Sequence, residues 1–102
     1  MGAGDHQMNK KVILNLTLER QWFDEIAIGK KRKEYREYKP YWKSRLEGRK
    51  YDIVRFRNGY GPKVPEMDVE YLGVSRDGKG SRADYVIRLG QVIKIKRWRP
   101  ET

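Results

Sequence analysis

Apolar residues along this chain change their spacing several times, and each change marks an element. Val12-Ile13-Leu14-Asn15-Leu16 is apolar or β-branched at nearly every position, the pattern of a central strand buried on both faces. Thr17 then stands where a helix N-cap belongs. Leu18, Trp22 and Ile26 follow at four-residue intervals, with Phe23 and Ala27 beside them. That spacing predicts an amphipathic helix with this aromatic stripe in the core, Asp24 and Glu25 on the wet side, and Gly29 as its stop. From Lys33 to Tyr38 the period becomes two, which puts Glu34 and Arg36 on one face of a strand and Tyr35 on the other, as core.

Pro40 fits the first turn of a short helix over 40–46, with Tyr41, Trp42 and Leu46 as apolar contacts and Gly48 as its end. Tyr51 to Arg57 alternates again, with Val54 and Phe56 facing in and Arg55 and Arg57 facing out. The stretch 58–65, Asn-Gly-Tyr-Gly-Pro-Lys-Val-Pro, is dense in turn formers and long for a hairpin, and loops of that kind often carry function. Met67 to Arg76 reads as a strand bent or bulged around Gly73, 77–81 as a turn, and 85–89 and 92–97 as the last strands with Gly90 as a bulge or bend between them. Trp98 is placed to anchor the chain end on the body. The predicted fold is α+β: a small mixed β-barrel of five to six strands with two short helices. It forms one domain over 12–99, between polar tails at 1–11 and 100–102.

Composition narrows what such a domain does. A chain of 102 residues supports one modest core and not two. With no cysteine and one histidine, placed in the N-terminal tail, it has neither a thiol nucleophile nor a common zinc ligand set. The 77–80 run lacks calcium-loop spacing, so no metal and no cofactor is expected. There is no long apolar span and no apolar leader in the first eleven residues. No membrane association is expected, and a reducing, cytoplasmic setting fits. The net charge is +10, and residues 29–50 hold ten basic side chains against three acidic ones. A field so concentrated favours polyanions, nucleic acid above all. A second basic patch follows at Lys94, Lys96, Arg97 and Arg99.

The densest chemistry is the run 29–36, Gly-Lys-Lys-Arg-Lys-Glu-Tyr-Arg. There Lys31, Glu34 and Arg36 converge where the first helix passes into the second strand. Arg36 suits a phosphate, which a guanidinium grips with two parallel hydrogen bonds. Glu34 reads either as an acceptor for the exocyclic amino group of a base or as a salt-bridge partner. Lys31 reads either as a site residue or as an exposed cation. Arg55, Arg57, Asn58 and Tyr60 run off the third strand into the glycine-rich loop, an interleaving of arginine and tyrosine that suits single-stranded nucleic acid.

Gly29, Lys31, Glu34 and Arg36, directly after a first helix, stand as Gly-x-Lys-x-x-Glu-x-Arg, and in this the chain resembles the ASCH domain family of PUA-like barrels from about Val12 to Ile95. The resemblance implies a cleft lined by these residues and suited to RNA or a nucleotide. It also implies an alternative, a small hydrolase, since some ASCH domains act on N4-acetylcytidine and others have been described as ribonucleases. In that alternative Lys31 and Glu34 would be catalytic. The amidohydrolases pair the lysine with a threonine three positions on, and Glu34 occupies that place here. Binding of RNA or a nucleotide is therefore the leading expectation.

Overall fold

The computed structural model describes residues 10–78 and 83–100. His6, the greater part of the N-terminal tail, residues 79–81 of the predicted turn and the last two residues lie outside the described residues.

Seven elements follow one another: β1 (Ile13–Thr17), α1 (Arg20–Ala27), β2 (Lys33–Glu37), α2 (Pro40–Leu46), β3 (Ile53–Arg57), β4 (Glu66–Asp77) and β5 (Asp84–Lys96). The strands form one sheet in the order β1-β3-β4-β5-β2. β1 runs parallel to β3, and every other pair is antiparallel. β4 and β5 are 12 and 13 residues long, and their register shifts three times between Asp68 and Gly73. Such bulges increase twist and bend a strand, so the sheet curls into a half-barrel. Its concave side holds Leu14, Leu16, Val54, Phe56, Met67, Val69 and Ile87, closed over by Phe23 and Ile26 of α1 and Leu46 of α2. Among the described residues, no helix is long and apolar enough to cross a membrane.

The α1 exit sets up everything downstream. Gly29 has φ 82, its N–H bonds to the Ile26 carbonyl, and the Lys30 N–H reaches the Glu25 carbonyl. These are the two hydrogen bonds of a Schellman motif, which needs a left-handed residue just past the helix. The chain therefore turns sharply and delivers Lys31 to the start of β2. α2 begins on Pro40 as predicted. Glu47, just beyond its end, accepts a hydrogen bond from the buried Tyr85 hydroxyl. Burial, with Glu47 beside it, pushes that hydroxyl up to about 12, so Tyr85 remains a proton donor that ties α2 to β5.

Several expectations are corrected. β1 is an edge strand rather than a central one: it pairs only with β3, and Leu14 and Leu16 are buried while Asn15 between them is exposed. Thr17 ends β1 and caps nothing, because the chain stays extended through Leu18 and α1 starts at Arg20 after a Glu19 N-cap with no side-chain bond. The two last strands are one. The strand is continuous, but Gly90 does mark a bulge in it: Val69 pairs with Val92 and Tyr71 with Leu89, so β5 carries one extra residue there, beside Glu70, whose carboxylate occupies the space a Cβ would need. β2 stops at Glu37, one residue short of the expected end. β3 starts at Ile53 rather than Tyr51, and β4 extends one residue beyond the expected range at each end. Closure is partial, since β1 and β2 stand at the two free edges with no backbone ladder between them. Trp22 is 38 % exposed and Tyr35 46 % exposed, whereas Glu34 is only 7 % exposed. The faces of β2 are thus the reverse of those expected. Trp98 does anchor the chain end, with its indole N–H donating to Asp24 of α1.

Because φ at Gly29 lies where a Cβ is penalised, Gly29→Ala should lower unfolding free energy by about 1–2 kcal/mol. Urea denaturation checks this, and Gly29→Asn should lose less because asparagine tolerates that region.

Candidate functional site

β2 carries its polar residues into the concavity because they satisfy one another there. The Arg36 Nη2 donates to Glu34 Oε2 at 2.8 Å and to the Thr17 carbonyl at 3.2 Å. The Lys31 Nζ lies 3.7 Å from Glu34 Oε1. A carboxylate held between two cations, one of them in direct hydrogen-bond contact, can be tolerated under cover where an isolated one cannot. Tyr35 meanwhile rests on the outer side, where a phenol is half content in water.

Aromatic rings frame both cations. Lys31 Nζ is 5.3 Å from the ring centroids of both Trp22 and Tyr35, and the Arg36 guanidinium carbon is 5.0 Å from that of Trp42. The three predicted residues Lys31, Glu34 and Arg36 are therefore brought together. Glu34 and Arg36 line a groove between the free edges of the sheet, with Lys31 beside Glu34. One limb of about 630 Å3 is lined by Asn15, Thr17, Arg36, Trp42, Asn58 and Tyr60, among others. A second limb of about 310 Å3 continues past Thr17 and Arg36 to Glu34, Tyr35 and Trp22. Tyr60 is 85 % exposed at the rim.

The other predicted residues separate. Asn58 lines the groove, but its amide donates to the Leu18 carbonyl and so pins the glycine-rich loop to the start of α1. Arg55 and Arg57 do not line either limb. Arg55 makes a two-point contact with Asp68, and Arg57 donates to the Gly61 carbonyl and faces Glu66. Both lie on the outer surface of the sheet. The aromatic members Trp22, Tyr35, Tyr41 and Trp42 went unassigned to the site. For Tyr35, Tyr41 and Trp42 the signal was present as large rings within the most charged stretch of the chain, where a core role would leave cations buried, whereas Trp22 stands before that stretch in the stripe that reads as core. Among the described residues, no group of three or more histidine, aspartate or glutamate side chains gathers as a metal site.

Arg36 Nε is buried with no hydrogen-bond partner. A buried unsatisfied donor costs about 1–3 kcal/mol, so Arg36 is an expensive residue if its role is stability alone. Burial pushes the Glu34 carboxyl above its ordinary value, with Arg36 and then Lys31 pulling it partly back. No family model, curated protein or solved structure matches the chain.

A carboxyl raised on folding favours the folded state most when it is protonated. Its stabilising contribution is present below the ordinary carboxylate value of 4.5 and fades as pH rises through the raised folded value. Glu34→Gln should remove that part of the pH dependence. Plotted against pH, the stability of the parent relative to the variant should fall as pH rises above the ordinary carboxylate value of 4.5, as thermal melts in parallel buffers will read.

Proposed function

We propose that this chain is a binding module of the ASCH, PUA-like type that takes single-stranded RNA, or a nucleobase within it, in the groove between the free edges of its sheet. The observation that carries the reading is the covered Glu34 carboxylate clamped between Lys31 and Arg36 inside an aromatic-rimmed groove. Each part has a nucleic-acid counterpart. Arg36 and Lys31 neutralise phosphate, the glutamate accepts from an exocyclic amino group, and a base stacks on Tyr60 or Trp42 for about 1–3 kcal/mol. The open groove suits a strand passing through better than a small molecule wholly enclosed. Cytoplasmic residence belongs to the same reading and accords with a chain that has no cysteine.

Binding of this kind weakens steeply with salt because counterions are released. Fluorescence anisotropy with an unstructured labelled oligoribonucleotide should show that dependence. Arg36→Ala should weaken binding by about tenfold or more, the worth of one charge-assisted contact. Arg36→Lys should recover only part of the loss, since an ammonium lacks the two-point fork. Equal affinity of Arg36→Ala and the parent across the salt series, with both folded by circular dichroism, rules the groove out.

One observation favours the hydrolase alternative. A carboxyl raised by burial beside an amine is the arrangement of a general acid–base pair. In that reading Glu34 exchanges a proton with the reacting group and Lys31 assists. Turnover of single-stranded RNA or of N4-acetylcytidine that disappears in Lys31→Ala is its expected signature. Absence of turnover with both substrates removes it and leaves the binding reading intact.

A further inference from the structure

The outer surface of the sheet carries a second charged array that the groove does not use. β3, β4 and β5 place their outward residues in register: Arg55 opposite Asp68 opposite Lys94, and Arg57 opposite Glu66 opposite Lys96. Each row is cation, carboxylate, cation, with the acids on the middle strand. Glu66 stands within 4 Å of four cations, Arg55 at 3.7 Å, Arg57 at 3.5 Å, Lys96 at 3.5 Å and Arg97 at 3.9 Å. The two carboxylates are covered, their side chains 14 % and 9 % exposed, whereas those of Lys96 and Arg97 are 45 % and 36 % exposed. What a ligand meets is the cationic layer: five positive charges, with Lys94 included, over two negative ones.

We infer that this ladder is a second nucleic-acid contact, one that binds the phosphate backbone of a single strand extending beyond the groove. Rows two residues apart along a strand are separated by about 6.8 Å, a spacing that suits successive phosphates of an extended single strand. The ladder also adjoins the groove. Asn15 and Thr17 line the groove on β1 and pair in register with Arg55 and Arg57, so the first cations of the ladder lie one strand, about 4.8 Å, from the groove wall. Arg57 also holds the loop that carries Tyr60, through its bond to the Gly61 carbonyl. A strand leaving the groove past Tyr60 therefore meets the ladder next. Contacts to phosphate position a nucleic acid without reading its sequence, so the ladder supplies length-dependent affinity and the groove supplies selectivity.

The identity of the strand as RNA rests on the proposed function, and the test separates the two. Lys94→Gln/Lys96→Gln is compared with Arg36→Ala, because these lysines are exposed and their loss leaves Arg55, Arg57 and Arg97 to cover the acids. Two probes are used, a labelled oligocytidylate and cytidine monophosphate, whose base carries the exocyclic amino group that Glu34 would accept from. The double variant should bind the oligomer more weakly, with a slope of log affinity against log salt reduced by about 1.4, two contacts' worth. Its affinity for the monophosphate should not change. Arg36→Ala should weaken both probes. If the double variant matches the parent in oligomer affinity and salt slope, the ladder is not a nucleic-acid contact. If only the double variant weakens oligomer binding, the ladder stands and the groove reading falls. Phosphatidylserine vesicles provide the last arm: capture of the parent but not the double variant by vesicles, without any oligomer binding, overturns the assignment in favour of a membrane surface.

Discussion

Arg36 spans the one gap in the sheet. The strand order leaves β1 and β2 as free edges, and bulges in the long β4–β5 hairpin curl those edges toward each other. A backbone ladder between them would close a barrel and leave no groove. Instead one guanidinium reaches from β2 to the Thr17 carbonyl at the end of β1 while holding Glu34 beside it. Replacing such a buried ion pair with apolar groups of equal volume is often neutral or stabilising. The orphaned Arg36 Nε sharpens the point. The arrangement contributes little to folding that Leu or Met could not, and what it does supply is a charged, partly open seam in an otherwise apolar concavity.

The seam depends in turn on the Schellman turn at Gly29. Lys31 is only three residues from Glu34, and in a continuous strand it would lie on the opposite face from it. The left-handed residue redirects the chain so that Lys31 enters β2 from the side of α1, between Trp22 and Tyr35. Two rings on one ammonium hold it near Glu34 without burying it fully, since its side chain is 18 % exposed. A cation kept in place and still wet is suited to meeting a phosphate at low reorganisation.

Local signals along the chain were legible wherever one element decides its own form. Pro40 started α2, the alternation of Val54 and Phe56 with Arg55 and Arg57 set the faces of β3, and Trp98 docked on α1. β2 shows where that stops. Period two correctly grouped Glu34 with Arg36 against Tyr35, but periodicity says only which residues share a face. Which face turns inward was decided by the Thr17 carbonyl and Trp42, groups on other elements that offer the polar pair partners. β1 failed for a related reason. Its apolar run suits a strand covered twice, yet only β3 pairs with it, and an edge position depends on where the crossover through α1, β2 and α2 returns. The site was therefore half legible. Its charges stood in one short run, while its aromatic frame came from α1, β2 and α2, on rings that looked like core.

The same alternation that builds the core also explains why the arginines predicted as one site are found on two surfaces. With Val54 and Phe56 fully buried, Arg55 and Arg57 have no choice but the convex side. Arg36 escapes this rule only because β2 has no neighbour beyond it and its concave face looks onto the groove. Once on the convex side, two arginines next to the lysines of β5 would repel one another. Glu66 and Asp68 on the intervening strand make the array tolerable, and at those positions alternation points them to the same surface, opposite Met67 and Val69. The carboxylates do not cancel the field. They fix the cations in two rows and leave a surplus of positive charge facing water, beginning one strand in from the edge where the groove opens.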